Sequence, residues 1–399
     1  MLLAVSSHPV QYRAPLYRYL RQHGGTPVHA LYRSDRHLRT AYDPGFGVSY
    51  RWATDLLAGY ASSFVAHGTA GDRLALWRAF WSTYKAVTKV VRADRDISAV
   101  LLHSYATVEG IAGLLAAKQL GLPALLMEET ELTRRRPILK RLLRLVLLTP
   151  LLRLYDAFLY IGTRNRQFYE RYGVQPDQLF FAPYSVDNDA FSNAVPRNLA
   201  RREETRRALG AQPSDCVALF AGKLIVRKRP LDLLEAVARL PAHGQPFLAF
   251  VGAGELSAAL RSRAAELGVR RIAITGFKNI DEIGQYYAAA DVFVLPSAFE
   301  TWGLVLNEAM LHSLPAIVSD GCGCAPDLVR DGETGFRYPP GGIEALAARL
   351  EALVRDETLR HDMGIRARGL IENWSYAQVA RGVRAALAFV NASGTRAAT

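Results

Sequence analysis

The sequence predicts an α/β protein made of two doubly wound domains of similar size. Short apolar runs alternate with amphipathic helical stretches along most of the 399 residues. The alternation stops once, over a polar stretch at 187–207 that holds Pro196 and a run of charges, and then restarts. The length itself suits two or three domains, and a composition that is 50% hydrophobic and 22% charged excludes a largely disordered or fibrous chain.

In the first half, apolar runs predict strands at 2–6, 28–32, 99–102, 124–127, 157–161 and 179–182. A helical pattern at 107–120 is closed by Gly121 and Pro123. The stretch 34–71 is rich in Gly and Tyr without a clear period, which predicts long loops. After the 187–207 linker, strands are expected at 217–221, 247–251, 272–275, 292–295 and 316–319, each trailed by a helix. A last amphipathic helix at about 376–390 precedes a small-residue tail read as disordered. The expected domains are therefore 1–190 and 191–375, with 376–399 as a C-terminal helix crossing back to the first domain, plus tail.

Three cysteines are too few for a disulfide framework, and no His or Cys cluster has zinc spacing. The Cys322/Cys324 pair reads as reduced packing residues. No run approaches the ~18 apolar residues of a membrane span, and the N-terminus lacks the features of a signal peptide; the cytoplasm fits best. The net charge is +12, with 24 Lys and Arg against 15 Asp and Glu in residues 1–190 and 25 against 22 in the rest. A basic first half suits nucleic acid, an anionic membrane surface or an acidic substrate. Nucleic acid is disfavoured, because no recognised module is present.

Three windows carry chemistry. In PSAFETWGLVLNEAMLHSLPAIVSD (296–320), Glu300 falls in a loop, and Glu308 shares a helix face with Leu304 and Leu311. A carboxylate on an apolar face needs a bonding partner. In LFAGKLIVRKRPLDLLEAV (219–237), a strand ends at Gly222. Lys223, Arg227, Lys228 and Arg229 then crowd the loop before a helix opening at Pro230, a natural seat for a diphosphate. In FVGAGELSAAL (250–260), Gly252 and Gly254 suit a tight strand-to-helix turn. Ser257 stands where a dinucleotide fingerprint needs a third glycine. Two D-x-D triplets, Asp94/Asp96 and Asp187/Asp189, read as solvated loop acids, so no metal is expected.

Taken in order with ITGF (274–277), YYAAADVFVLPS (286–297) and SDGCGCAPDLVRDGETGF (319–336), these windows resemble the retaining glycosyltransferases of family 4. That resemblance implies the GT-B fold, two Rossmann-like domains facing a central cleft. It implies that Lys223 and Lys228 neutralise a donor diphosphate, Glu308 accepts the ribose hydroxyls and Glu300 faces the donor sugar. The amides of Gly303, Leu304 and Val305 would meet phosphate oxygens, and Phe277 and Lys278 would flank the base. No cofactor or metal is then required.

The first half departs from the family. SSHPVQYR, with His8, stands where a glycine-rich loop is common, and GLPALLMEET puts Glu128 and Glu129 where a His is common. Glu129 and His103 are the candidates for the polar contact to the transferred sugar; a non-catalytic role stays open for both. On the acceptor side stand His8 and the cations Arg134, Arg135 and Arg136. The stretch 133–155 carries seven Arg or Lys and no acid, with leucines at helical spacing, which suits either an interfacial helix on anionic lipid or an ordinary solvated face. The expected activity is transfer of a sugar from a nucleotide sugar to a glycan, lipid-linked or small-molecule acceptor by a cytoplasmic, peripherally membrane-bound enzyme. A GT-B nucleotide-sugar 2-epimerase and a non-catalytic nucleotide-sugar-binding subunit are the alternatives.

Overall fold

A computed structural model describes residues 1–35, 38–65, 73–132 and 137–397. The chain divides into two compact units, one of Met1–Arg39, Thr54–Tyr184 and Tyr376–Thr399, the other of Thr40–Ala53 and Ser185–Ser375.

Up to Tyr184 the elements are β1 (Leu2–Ser6), α1 (Ala14–Gln22), β2 (Val28–Tyr32), β3 (Ala41–Asp43), β4 (Val48–Tyr50), β5 (Ala61–Phe64), α2 (Arg73–Ala93), β6 (Ala99–Leu102), α3 (Val108–Gln119), β7 (Ala124–Leu126), α4 (Ile138–Leu152), β8 (Ala157–Tyr160), α5 (Thr163–Arg171) and β9 (Leu179–Phe181). The second unit continues with α6 (Asn188–Ala200), α7 (Arg202–Leu209), β10 (Val217–Ala221), α8 (Pro230–Ala238), β11 (Phe247–Val251), α9 (Ser257–Glu266), β12 (Ile272–Ile274), α10 (Ile280–Ala289), β13 (Val292–Leu295), α11 (Leu304–Leu311), β14 (Ala316–Ser319), α12 (Ala325–Leu328), β15 (Gly335–Tyr338), α13 (Ile343–Arg355) and α14 (Glu357–Ile371). The last element is α15 (Tyr376–Ala397), which belongs to the first unit.

Unit 1 is built on a parallel sheet of order β5-β2-β1-β6-β7-β8-β9, and unit 2 on a parallel sheet of order β12-β11-β10-β13-β14-β15. Both reverse direction once, between the first strand and the fourth of the unit's parallel sheet, which is the doubly wound order. The central strands are buried from end to end, as the covering of both sheet faces by helices demands. Leu233, Phe250, Val294 and Leu346 belong to one core; Leu3, Leu102, Leu126 and Phe158 belong to the other.

The expected linker at 187–207 is instead two helices. Asp187 caps α6 by accepting from the Ala190 amide at 3.0 Å. On α7, Arg202 and Arg206 both reach Asp291, at 2.6 Å each. Their polarity is that of an anchored surface, and Ser185 opens the second unit, so the expected boundary at 190 lies inside α6. The stretch 34–71 is not plain loop either: β3 and β4 pair as an antiparallel hairpin that belongs to unit 2, and β5 joins the first sheet. The tail expected after Val390 is helical, because α15 runs to Ala397. Among the described residues, no helix is long and apolar enough to cross a membrane.

Candidate functional site

In a doubly wound sheet, ligands sit outside the carboxyl ends of the strands where the order reverses. In unit 2 that point lies between β10 and β13. Beyond β10 come Gly222, Lys223 and the short turn Val226–Lys228. Beyond β13 comes the loop carrying Ser297 and Glu300. The Ala298 amide donates to the Arg227 carbonyl at 2.9 Å, which ties the two loops together. The backbone of Glu300 is pinned in turn: its amide donates to Gly321 and its carbonyl accepts from Gly323.

Glu300 is 8% exposed. Lys228 Nζ lies 2.7 Å from Oε1 and Arg227 Nη1 lies 3.0 Å from Oε2, and Ser297 Oγ donates to Oε1 at 3.2 Å. Burial opposes ionisation, but Lys228 and Arg227 outweigh it and hold the carboxyl below its ordinary value. The result is a desolvated anion clamped by two cations.

α11 starts beside this cluster in sequence. Its cap, Gly303, has φ +109°, and a Cβ there would come within 2.9 Å of Leu295 Cδ2. Only glycine fits. No acidic residue occupies the first turn, so the positive helix end formed around Leu304 and Val305 is not neutralised by its own sequence. One turn on, the hydroxyl of buried Tyr287 donates to Glu308 Oε2 at 2.7 Å. Burial raises the Glu308 pKa to about 7, against the opposing pull of the Tyr287 hydrogen bond and Lys228. The apolar face expected for Glu308 is confirmed in kind, with Leu311 fully buried and Leu304 half-buried beside it.

Lys223 does not join Glu300. Its Nζ lies 2.9 Å from both carboxylate oxygens of Asp43 at the end of β3. Burial opposes the Asp43 charge, but Lys223 and the amides of Phe46 and Gly45 hold its pKa below the ordinary value. The same hairpin covers Phe277: the Tyr50 ring stacks on it with centroids 4.3 Å apart, and Phe46 meets it edge-on at 4.9 Å. Asn279 fastens the end of the hairpin by donating to the Arg51 carbonyl at 2.7 Å. Lys278 turns to Glu282 at 3.7 Å and to the Tyr286 ring. Gly252 and Gly254 form the expected tight turn. A Cβ at Gly252, where φ is +155°, would collide with the Gly222 carbonyl.

In unit 1 the order reverses between β1 and β6, which places His8 and His103 just beyond the two strands in question. Ser7 Oγ and His8 Nδ1 are 2.9 Å apart. His103 is buried, with Nε2 2.6 Å from the Tyr17 hydroxyl, and burial together with Arg13 holds its pKa well below the usual histidine value. A neutral imidazole results. Glu129 accepts from Arg13 Nη2 at 3.0 Å and from the Tyr184 hydroxyl at 2.5 Å. Its neighbour Glu128 is pushed upward, chiefly by burial. Arg134, Arg135 and Arg136 lie outside the described residues. Among the described residues, no group of three or more His, Cys, Asp or Glu could hold a metal.

Sequence reasoning missed Asp43, Tyr50, Ser297 and Tyr287 in unit 2, and Arg13, Tyr17 and Tyr184 in unit 1. For most of them the partner is remote in sequence; the cluster QYRAPLYR at 11–18, with two tyrosines and two arginines just after the first strand, was the one local signal.

Two parallel doubly wound sheets in one chain, the second with clamped cations and an open helix end at its reversal point, define the GT-B architecture. Residues 201–370, within the second unit, match the family model of the glycosyl transferases group 1. Among curated proteins, the chain is similar to the sulfoquinovosyl transferase SQD2 of Arabidopsis thaliana, 34% identical over 196 residues, covering 48% of this chain and 36% of that protein. It is also similar to a D-inositol 3-phosphate glycosyltransferase of Corynebacterium aurimucosum, 30% identical over 224 residues, covering 54% of this chain and 52% of that one. The chain thus spans about half or less of the length of these relatives. Among solved structures, sucrose-phosphate synthase from Thermosynechococcus elongatus superposes with a TM-score of 0.74 at 19% identity, covering 98% of this chain and 99% of that one. HepE of Anabaena, solved in complex with UDP and glucose, gives 0.71 at 17% identity, covering 97% and 99%.

Proposed function

We propose that the protein is a retaining glycosyltransferase of family 4. It moves a sugar from a nucleoside-diphosphate donor bound by unit 2 to a glycan, lipid-linked or small-molecule acceptor bound by unit 1. The observation that carries this reading is the clamp of Lys228 and Arg227 on Glu300 at the reversal of the second sheet, next in sequence to the Gly303-capped start of α11.

A leaving nucleoside diphosphate gains negative charge in the transition state, and fixed cations and helix amides stabilise charge that develops rather than charge already present. Lys228 supplies one such cation, Lys223 a second once it leaves Asp43, and the amides of Gly303, Leu304 and Val305 the dipole. Glu300, held ionised, faces the positive character that builds on the donor sugar. Glu308 receives the ribose hydroxyls, and Phe277 and Lys278 flank the base. On unit 1, Glu129 and the neutral His103 are the polar groups offered to the transferred sugar, with His8 on the acceptor side. Since protein cations meet the diphosphate, the reaction needs neither metal nor cofactor, and the enzyme works in the cytoplasm. The UDP held by HepE supports a nucleotide-sugar partner for this chain.

The test is incubation with a panel of nucleotide sugars, with and without candidate acceptors, scored by chromatography, and repeated in EDTA. Acceptor-dependent release of the nucleoside diphosphate that survives EDTA is the expected result. An epimerised donor would make the protein a 2-epimerase, and binding without turnover would make it a non-catalytic subunit. Loss of activity restored by Mg²⁺ would overturn metal independence.

A further inference from the structure

Helix α4 presents its apolar side chains to solvent. One stripe anchors it to unit 1: Leu148 and Leu152 are buried in the core, and Arg144 donates to the Tyr105 hydroxyl at 2.7 Å and lies over the Phe168 ring. Most of the rest of the helix is bare. Ile138, Leu139, Leu142, Leu143, Val146 and Leu147 are all exposed, with Leu139 at 78% and Val146 at 70%. Solvent-facing helix positions in a water-soluble fold are ordinarily polar, and an apolar patch of this kind marks an interaction surface.

The charges say which partner. Lys140 and Arg141 are exposed among these aliphatics, and Arg134, Arg135 and Arg136 precede them in sequence. No Asp or Glu occurs between Glu131 and Asp156. Aliphatic side chains interleaved with cations alone are complementary to an anionic lipid surface, where the chains enter the headgroup boundary and the cations meet phosphate. The 15 residues of α4 reach only about 22 Å, short of a hydrocarbon core of about 30 Å, so the helix lies on the bilayer and does not cross it. We propose that α4 is an interfacial helix that docks the protein on anionic membrane. This surface is separate from the donor site and stands whether or not sugar transfer is the activity.

The test is flotation of the full chain with vesicles of phosphatidylcholine alone or mixed with phosphatidylglycerol, at low and high salt. Wild type is expected to float with the anionic vesicles and to be released by salt. Lys140→Ser/Arg141→Ser should weaken binding about 30-fold at low salt, and Leu139→Asp/Val146→Asp should abolish it. Both pairs are solvent-facing, so an unchanged thermal unfolding curve will show that each variant is folded. The proposal is overturned if wild type stays soluble with anionic vesicles, if it floats equally on uncharged ones, or if Leu139→Asp/Val146→Asp floats like wild type. A concentration-dependent dimer that excludes vesicles would assign α4 to a second copy of the chain and equally overturn it.

Discussion

Replacing Glu308 by Gln should change how stability depends on pH, in a direction the site fixes. The Glu308 carboxyl titrates near 4.5 when unfolded and at about 7 when folded, because burial disfavours its charge. A raised folded pKa means that the stabilising share is full below about 4.5 and is lost as pH climbs through 7. At 1.36 kcal/mol per pKa unit, the folded state gives up roughly 3 kcal/mol by pH 8 and under about 1 kcal/mol by pH 5. Gln keeps an oxygen for the Tyr287 hydroxyl and carries no charge, so it escapes this loss. The stability difference between Glu308→Gln and wild type should therefore swing toward the variant by about 2–3 kcal/mol from pH 5 to pH 8. For a unit of about 200 residues that is a relative Tm change of roughly 5–10 °C. Other titrating groups cancel, since both proteins share them. Thermal unfolding of the pair at several pH values measures the swing. Parallel curves from pH 5 to pH 8 would refute the reasoning, and a swing in favour of wild type would place Glu308 among paired, ionised carboxylates.

Lys228→Met should lower kcat/KM by about 10²–10³ under the proposed reaction while UDP binding, followed by calorimetry, falls far less; a wild-type rate would remove Lys228 from the chemistry. Asp43→Asn frees Lys223, and with that ion pair worth about 1 kcal/mol the affinity for UDP should rise roughly fivefold; unchanged or weaker binding would mean that Lys223 does not meet the nucleotide. Asp291→Ala strips the partner from Arg206, a buried guanidinium, and from Arg202. It should destabilise unit 2 by about 3–5 kcal/mol, read by urea unfolding, and a loss under about 1 kcal/mol would show that the α7 contact is ornamental.

The strands were legible because a parallel sheet covered on both faces writes itself as unbroken apolar runs, as at 217–221 and 247–251. The Lys228 and Glu300 windows were legible for a related reason, since both follow such strands directly. What local pattern could not carry was long-range polar pairing. Helix α7 looks like a linker because its anchor, Asp291, is more than 80 residues away from Arg202 and Arg206. Asp43 and Lys223 meet across 180 positions, so nothing near residue 43 announced that its hairpin belongs to the second unit. The same holds for Glu129, whose partners Arg13 and Tyr184 lie 116 and 55 positions off. The strand β15 went unseen because its GFRY sequence is short and carries an arginine, though its neighbours bury it.

The return of α15 to unit 1 sets an order of assembly during synthesis. That helix buries Tyr376, Val379, Val383 and Val390 and packs against β8 and β9, strands made before the whole of Ser185–Ser375. At about 5–20 residues per second, the ribosome delivers α15 roughly ten to forty seconds after β9. At the end of that interval unit 2 has all its sequence, while the earlier-made unit still lacks α15. A nascent chain stalled before Tyr376 would hold a bare apolar strip on its oldest domain, a ready substrate for chaperones and proteases.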